Sequence, residues 1–303
     1  MRNRRALLAA ITAVLLFGVT VVIQGQLVRL EVTAFTSVGL RYAVGTVVCL
    51  LLLAITRRSL APVRGERVPA FLLGAVAYAV QAFLFYAALQ HGSPGAVSLL
   101  FYTYPVLVLL IAVAFRLKPW AWTAAVSAVL SVVGAAILIS TGRSIIVDAT
   151  GVVLALSSSV CVAIYLFANQ RFLPRSSALV VSAWVSAGVA TSTLLMSVIT
   201  GTQGSVSASA WLWLVVSGIT TGLGNALMYV ALAHLGAPAT SVILSMQSVV
   251  AVVGSDLFLG ERVTTGQVVG GAGILAAVWV AAWTSRPRIA PGDSSTGERK
   301  RLR

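Results

Sequence analysis

A chain of 303 residues that is 59% hydrophobic and 9% charged, with a mean hydropathy of +0.99, has more apolar surface than a soluble core could hide, since soluble domains carry about 25% charged residues. Its two cysteines fall inside apolar runs, and its two histidines show neither His-x-x-x-His nor Glu-x-x-His spacing, which argues against a disulfide framework and a metal centre; no cofactor is expected. The composition is that of an all-α polytopic membrane protein, and the net charge of +14 must be explained within that class.

Ten apolar runs of about 20 residues, the length needed to cross a hydrocarbon core of about 30 Å, fall at 6–25, 35–56, 68–89, 94–115, 121–140, 151–169, 178–200, 211–232, 238–258 and 265–284. The start Arg2-Asn3-Arg4-Arg5 and the run after it have the outline of a signal peptide, but with the remaining chain equally hydrophobic they read as a retained first span. With the N-terminus inside, 17 of the 21 basic residues lie on the inner side, leaving Arg29, Arg41, Arg143 and Arg262 in the outer half. That bias is the positive-inside rule, so the charge requires no nucleic acid. Residues 286–303 form a basic tail, expected to be disordered, cytoplasmic and attracted to anionic lipid.

Span one carries Gln24 as its strong polar group. Span two holds Arg41, a cation in the apolar zone, and polar groups there are costly enough to point to function. Two readings stand for Arg41: an anchor for a substrate carboxylate, or a structural cation paired with Glu31 or reaching to the outer interface. Span three places Tyr78, Gln81 and Phe85 on one helical face. Span four does the same with Ser98, Phe101, Tyr102 and Pro105. A polar stretch from Thr141 to Thr150 divides the chain into halves of 1–145 and 146–285.

In the second half, span six offers Tyr165 and Asn169, span eight Asn225 and Tyr229, and span nine Ser241, Ser245 and Ser248 with Gln247 beside them. An amide facing lipid would leave its donors unsatisfied, so Gln81 and Asn225 either tie helices together or line a wet cavity. Small residues four apart, Ser127, Ser131 and Ala135 and then Gly266 and Gly270, read as helix-packing surfaces. Asp256 reads as an interfacial carboxylate near Arg262.

The halves are copies. Tyr86 to Phe115 aligns without a gap on Tyr229 to Phe258, with eight of 30 positions identical, among them His91/His234 and Ser98/Ser241. Each copy reads as an apolar helix end, a turn bearing Gly and Pro, and a second apolar helix. The paired histidines are expected in equivalent turns as relics of the duplication. Five spans per half is an odd number, so the second copy enters the membrane upside down. Inverted repeats with a site near the midplane are a recurring plan of secondary transporters.

Tyr86-Ala-Ala-Leu-Gln-His-Gly-Ser-Pro-Gly-Ala-Val-Ser98, then Phe101-Tyr-Thr-Tyr-Pro105, and Leu257-Phe-Leu-Gly-Glu-Arg262 at the end of span nine resemble the EamA-type members of the drug/metabolite transporter superfamily. The resemblance covers about 6–140 and 151–284. It implies a basket of ten helices around a central cavity and the movement of amino acids, other metabolites or drugs, commonly outward across the inner membrane. The first repeat departs from it with Arg116-Leu-Lys118 where the second has Gly-Glu-Arg. Small multidrug-resistance relatives use a glutamate in their first helix for proton exchange; span one here has no carboxylate.

The expectation is a secondary transporter in the cell inner membrane with both termini cytoplasmic. It exports a small neutral, zwitterionic or aromatic metabolite such as an amino acid by alternating access. Its substrate contacts are expected among Gln24, Arg41, Tyr78, Gln81, Phe85, Ser98, Tyr102, Tyr165, Asn169, Asn225, Tyr229 and Ser245. Its partners are that solute and the lipid bilayer; the oligomeric state stays open, and a monomer satisfies the reading. Alternatives are a lipid flippase, a multidrug exporter, a passive channel and a lipid-modifying enzyme. The seven carboxylates are too scattered to make the last a good fit.

Overall fold

A computed structural model describes residues 2–115, 122–140, 147–173, 175–202, 206–260 and 263–284. Those residues are helical, joined by short turns, and contain no β-strand beyond one isolated bridge between Gly92 and Val147. The helices are α1 (Arg2–Arg29), α2 (Ala34–Ile55), α3 (Arg67–Leu72), α4 (Ala79–Leu89), α5 (Pro94–Phe101), α6 (Tyr104–Ala114), α7 (Trp122–Ser140), α8 (Ala149–Phe172), α9 (Ala178–Ile199), α10 (Ala208–Ser245), α11 (Gln247–Leu259) and α12 (Thr265–Thr284). A π-helical segment, Leu73–Tyr78, joins α3 to α4. Among the described residues, seven helical stretches are long and apolar enough to cross a bilayer, and shorter apolar helices accompany them. The chain is a multi-pass, all-helical membrane protein. The basic tail, Arg116 to Lys118, Arg143, Glu261 and Arg262 lie outside the described residues.

Local chemistry sets the helix ends. Ser93, Asp148 and Ser207 cap α5, α8 and α10 with side-chain acceptors for the amides of Ala96, Gly151 and Ala210, donors that a helix start leaves without partners. Gly260, with φ +65°, ends α11 in the left-handed conformation, where glycine carries no Cβ penalty.

Span four is broken. α5 stops at Phe101 and α6 begins at Tyr104, because Pro105 has no N–H for the Phe101 carbonyl. The second copy breaks at the same register: α10 ends at Ser245 and α11 begins at Gln247, the positions that the gapless alignment pairs with Tyr102 and Tyr104. This corrects the turn expected at His234–Pro238, which is helical. A proline inside a helix costs about 3 kcal/mol, whereas a fully unwound turn among apolar neighbours leaves several backbone groups to satisfy. His234 bonds through Nδ1 to the Val230 carbonyl, 2.9 Å away and one turn back.

The packing respects the duplication. α1 lies on α10 and α11, as α8 lies on α4, α5 and α6; α2 meets α10 where α9 meets the π segment; α2 packs on α9 and α7 on α12. Exchanging each element for its copy in the other half turns every one of these pairings into another of them or into itself. Glycines allow the closest approaches. A Cβ on Gly188 would fall 2.3 Å from the Phe71 carbonyl oxygen and 2.7 Å from the Ala75 amide nitrogen. Its counterpart Gly45 faces the Gly218 carbonyl at 3.3 Å. Between α7 and α12, Gly134 sits against the backbone of Gly270, Gly273 and Ile274.

Candidate functional site

Where the halves meet, a cavity of about 650 Å³, counted to its open mouth, is lined by α1, α2, the π segment, α4, α5, α6, α8, α10 and α11. α1 presents Phe17, Thr20, Val21 and Gln24, one face of a helix at 3.6 residues per turn. The end of the π segment and the start of α4 present Tyr78, Gln81, Ala82 and Phe85. The broken spans contribute Phe101, Tyr102 and Tyr104 from the first half and Leu244 and Gln247 from the second.

Three buried polar atoms in this lining have no hydrogen-bond partner among the described residues: Gln24 Oε1, Arg41 Nε and Thr221 Oγ1. Arg41 is 5% exposed, and its guanidinium carbon lies 4.8 Å from the centre of the Tyr42 ring. No ion pair holds it among the described residues, so the pairing with Glu31 weighed from sequence is not formed. Buried polar groups are ordinarily satisfied, and a buried cation facing a cavity that has no carboxylate among the described residues of its walls is the most unbalanced of them.

The other expected site residues divide into two groups. Gln24, Arg41, Tyr78, Gln81, Phe85 and Tyr102 line the cavity; Ser98, Tyr165, Asn169, Asn225, Tyr229 and Ser245 lie behind it. Within the second group, Asn225, Tyr165, Tyr229 and Asn169 form a network behind Tyr78. Asn225 accepts a hydrogen bond from the Tyr78 hydroxyl at 3.4 Å, and Tyr165 stacks on Tyr78 with ring centres 4.6 Å apart. Tyr165 also bonds the Tyr229 hydroxyl and accepts from Asn169 Nδ2 at 3.3 Å. Gln81 donates to Ser158 Oγ at 3.0 Å, and Ser158 returns a bond to the Gln81 carbonyl at 3.0 Å. Gln81 therefore both ties helices and faces the cavity, whereas Asn225 ties helices. Ser98 and Ser245 are buried. Asp256 is exposed on α11.

Sequence reasoning missed Tyr42, Tyr104 and Thr221, and it left Met228 and Leu244 unnamed. The duplication held a usable signal. Extended towards the N-terminus, the gapless alignment of the copies pairs Tyr78, Phe85, Phe101 and Tyr104 with Thr221, Met228, Leu244 and Gln247, and all eight line the cavity.

Two clamps tie the halves together away from the cavity. His91 Nδ1 meets Asp148 Oδ2 at 2.9 Å, and the Asp148 amide donates to the His91 carbonyl at 3.0 Å. His91 is thus a partner of the segment that opens the second half. The Gly151 amide, ahead of His91, holds the Asp148 carboxyl below its ordinary value of 3.8. The second clamp is Glu66, 7% exposed, whose carboxylate accepts from the Arg175 amide at 3.0 Å, the Ser176 amide at 2.9 Å and the Ser176 hydroxyl at 2.5 Å.

The EamA-like transporter family matches residues 4–140 and again 149–283. The threonine/homoserine exporters RhtA of Escherichia coli (strain K12) and Salmonella typhimurium (strain LT2) are 29% identical over 248 residues, covering 79% of this chain and 78% of theirs. A solved crystal structure of a protein superposes with a TM-score of 0.68 at 19% identity, covering 91% of this chain and 96% of that one. With both halves matched, the chain belongs to the EamA-like transporter family.

Proposed function

We propose that the protein exports a small metabolite bearing a carboxylate, an α-amino acid or a close analogue, by alternating access across the cell inner membrane. In this reading 1–145 and 146–285 are antiparallel five-helix repeats, ten spans in all, with both termini cytoplasmic. The observation that carries it is Arg41: among the described residues its buried guanidinium has no ion-pair partner and the walls of the cavity it lines hold no carboxylate. A solute carboxylate supplies the missing charge with paired N–H donation. Gln24 Oε1 and Thr221 Oγ1 are acceptors for the ammonium of a zwitterion.

The exchange-related packing and the two helix breaks in matching register support the inverted repeat, since transporters of that plan bind solute beside discontinuous helices. The relatives named as threonine/homoserine exporters support an outward direction and an amino-acid class.

The test is efflux of labelled amino acids from proteoliposomes containing the unaltered protein, Arg41→Gln or Asn225→Ala. Loss of a charged hydrogen bond of about 1.5–3 kcal/mol raises KM at least tenfold in Arg41→Gln, while Asn225→Ala, acting through Tyr78, has a smaller effect. Equal efflux with and without Arg41 across a broad panel overturns the reading.

A further inference from the structure

We infer that the cavity has an apolar end built for the side chain of its solute, so that the preferred substrate is an amino acid with a large aliphatic or aromatic side chain rather than a short hydroxylated one. The inference rests on the function proposed above and names the substrate class of that same site.

It comes from comparing equivalent positions. At four pairs of aligned cavity-lining sites, the first half places Tyr78, Phe85, Phe101 and Tyr104 where the second places Thr221, Met228, Leu244 and Gln247. At each of these pairs the ring is in the first half.

Three of those rings form one patch with Tyr102. Phe101 lies 5.0 Å from Phe85, 5.2 Å from Tyr102 and 5.3 Å from Tyr104, ring centre to ring centre. Edge-to-face and tilted rings at this spacing make a surface that takes a further apolar or aromatic group readily. The patch lies on α4, α5 and α6.

The unpartnered polar atoms lie on other helices. Gln24 is one turn beyond Thr20, whose hydroxyl is 2.6 Å from that of Thr220, which places Gln24 near Thr221. Arg41 belongs to the same junction: a Cβ on Gly218, one turn before Thr221, would sit 2.8 Å from the Arg41 carbonyl oxygen. The residues that carry these atoms therefore belong to α1, α2 and α10, whereas the ring patch is carried by α4, α5 and α6. A solute that is polar at one end and bulky and apolar at the other satisfies both walls; threonine would leave the ring wall without a partner.

The experiment is counterflow into proteoliposomes of the intact chain, using labelled phenylalanine and labelled threonine, with leucine, tryptophan and serine as competitors. An apolar pocket discriminates by roughly tenfold or more for each well-placed group, so phenylalanine is expected to be favoured over threonine by at least tenfold. Phe101→Leu with Tyr104→Gln moves the patch towards the second half's character and is expected to bring that ratio towards one, mainly through the KM for phenylalanine. If threonine and serine are carried as well as phenylalanine by the unaltered protein, the inference is overturned whatever the variants do. In that outcome a continued dependence on Arg41 leaves the carboxylate reading standing, whereas failure to carry any of the five amino acids removes both.

Discussion

The Ser159 hydroxyl lies 2.7 Å from the carbonyl oxygen of Phe101 and donates to it, serving the backbone group that Pro105 cannot. A side chain of α8 thus completes the hydrogen bonding of a break in span four, and the break turns Tyr102 and Tyr104 into the cavity. The second copy has Ser248 at the position of Pro105, and its hydroxyl donates to the Ser245 carbonyl at 2.8 Å. Two chemical solutions maintain equivalent breaks.

Ser159→Ala is expected to destabilise the protein by about 1–3 kcal/mol, the cost of leaving a buried acceptor without a donor. Pro105→Ala restores an amide to Phe101, so the serine change should cost less in that background. Thermal unfolding in detergent of the two single variants and the double variant measures the coupling. Strict additivity would show that Ser159 does not serve that carbonyl.

Gly188→Ala is expected to cost about 1–3 kcal/mol, because its Cβ would overlap backbone of the neighbouring helix, which cannot step aside as a side chain can. Gly45→Ala, with its nearest neighbour at 3.3 Å, should be markedly milder. Melting temperatures of the two variants under one detergent condition check the order.

Glu66→Gln leaves only one acceptor oxygen for the amides of Arg175 and Ser176 and the Ser176 hydroxyl. Hydrogen bonds to a charged acceptor contribute about 1.5–3 kcal/mol, so a lower melting point is expected. Protease cleavage in the 57–66 segment, which this clamp docks, should also become faster. Unchanged cleavage would show that the clamp does not hold the segment.

Asp148 makes the acid limb of stability testable. Its carboxyl titrates below its ordinary 3.8 because the Gly151 amide, and then His91, favour the ionised form. A depressed carboxylate contributes stability above its unfolded pKa and loses it as pH falls through the folded one. The unaltered protein should therefore lose melting temperature below about pH 4 more steeply than Asp148→Asn. Parallel slopes from pH 5 to pH 3 would count against the clamp.

The membrane class, the helical character of the apolar runs and the register of the two copies were legible in the amino-acid sequence alone. Apolar runs long enough to cross lipid and a copied pattern survive in one dimension without knowledge of neighbours. The cost of burying a charge likewise singled out Arg41 before its surroundings were known. Tertiary structure decided which polar residues meet the cavity and which fasten it from behind, as with Gln81 against Asn225 and Tyr78 against Tyr165. Lipid is as apolar as a packed core, so a helix in this protein lacks the polar face that would betray its inward side, and only the packing of α1, α2, α4, α8 and α10 against one another selects it. The position of the second break at Met246, rather than at Gly236 and Pro238, was likewise settled by the fold. A proline names the carbonyl it cannot serve, and the neighbouring helix determines whether that carbonyl finds another donor.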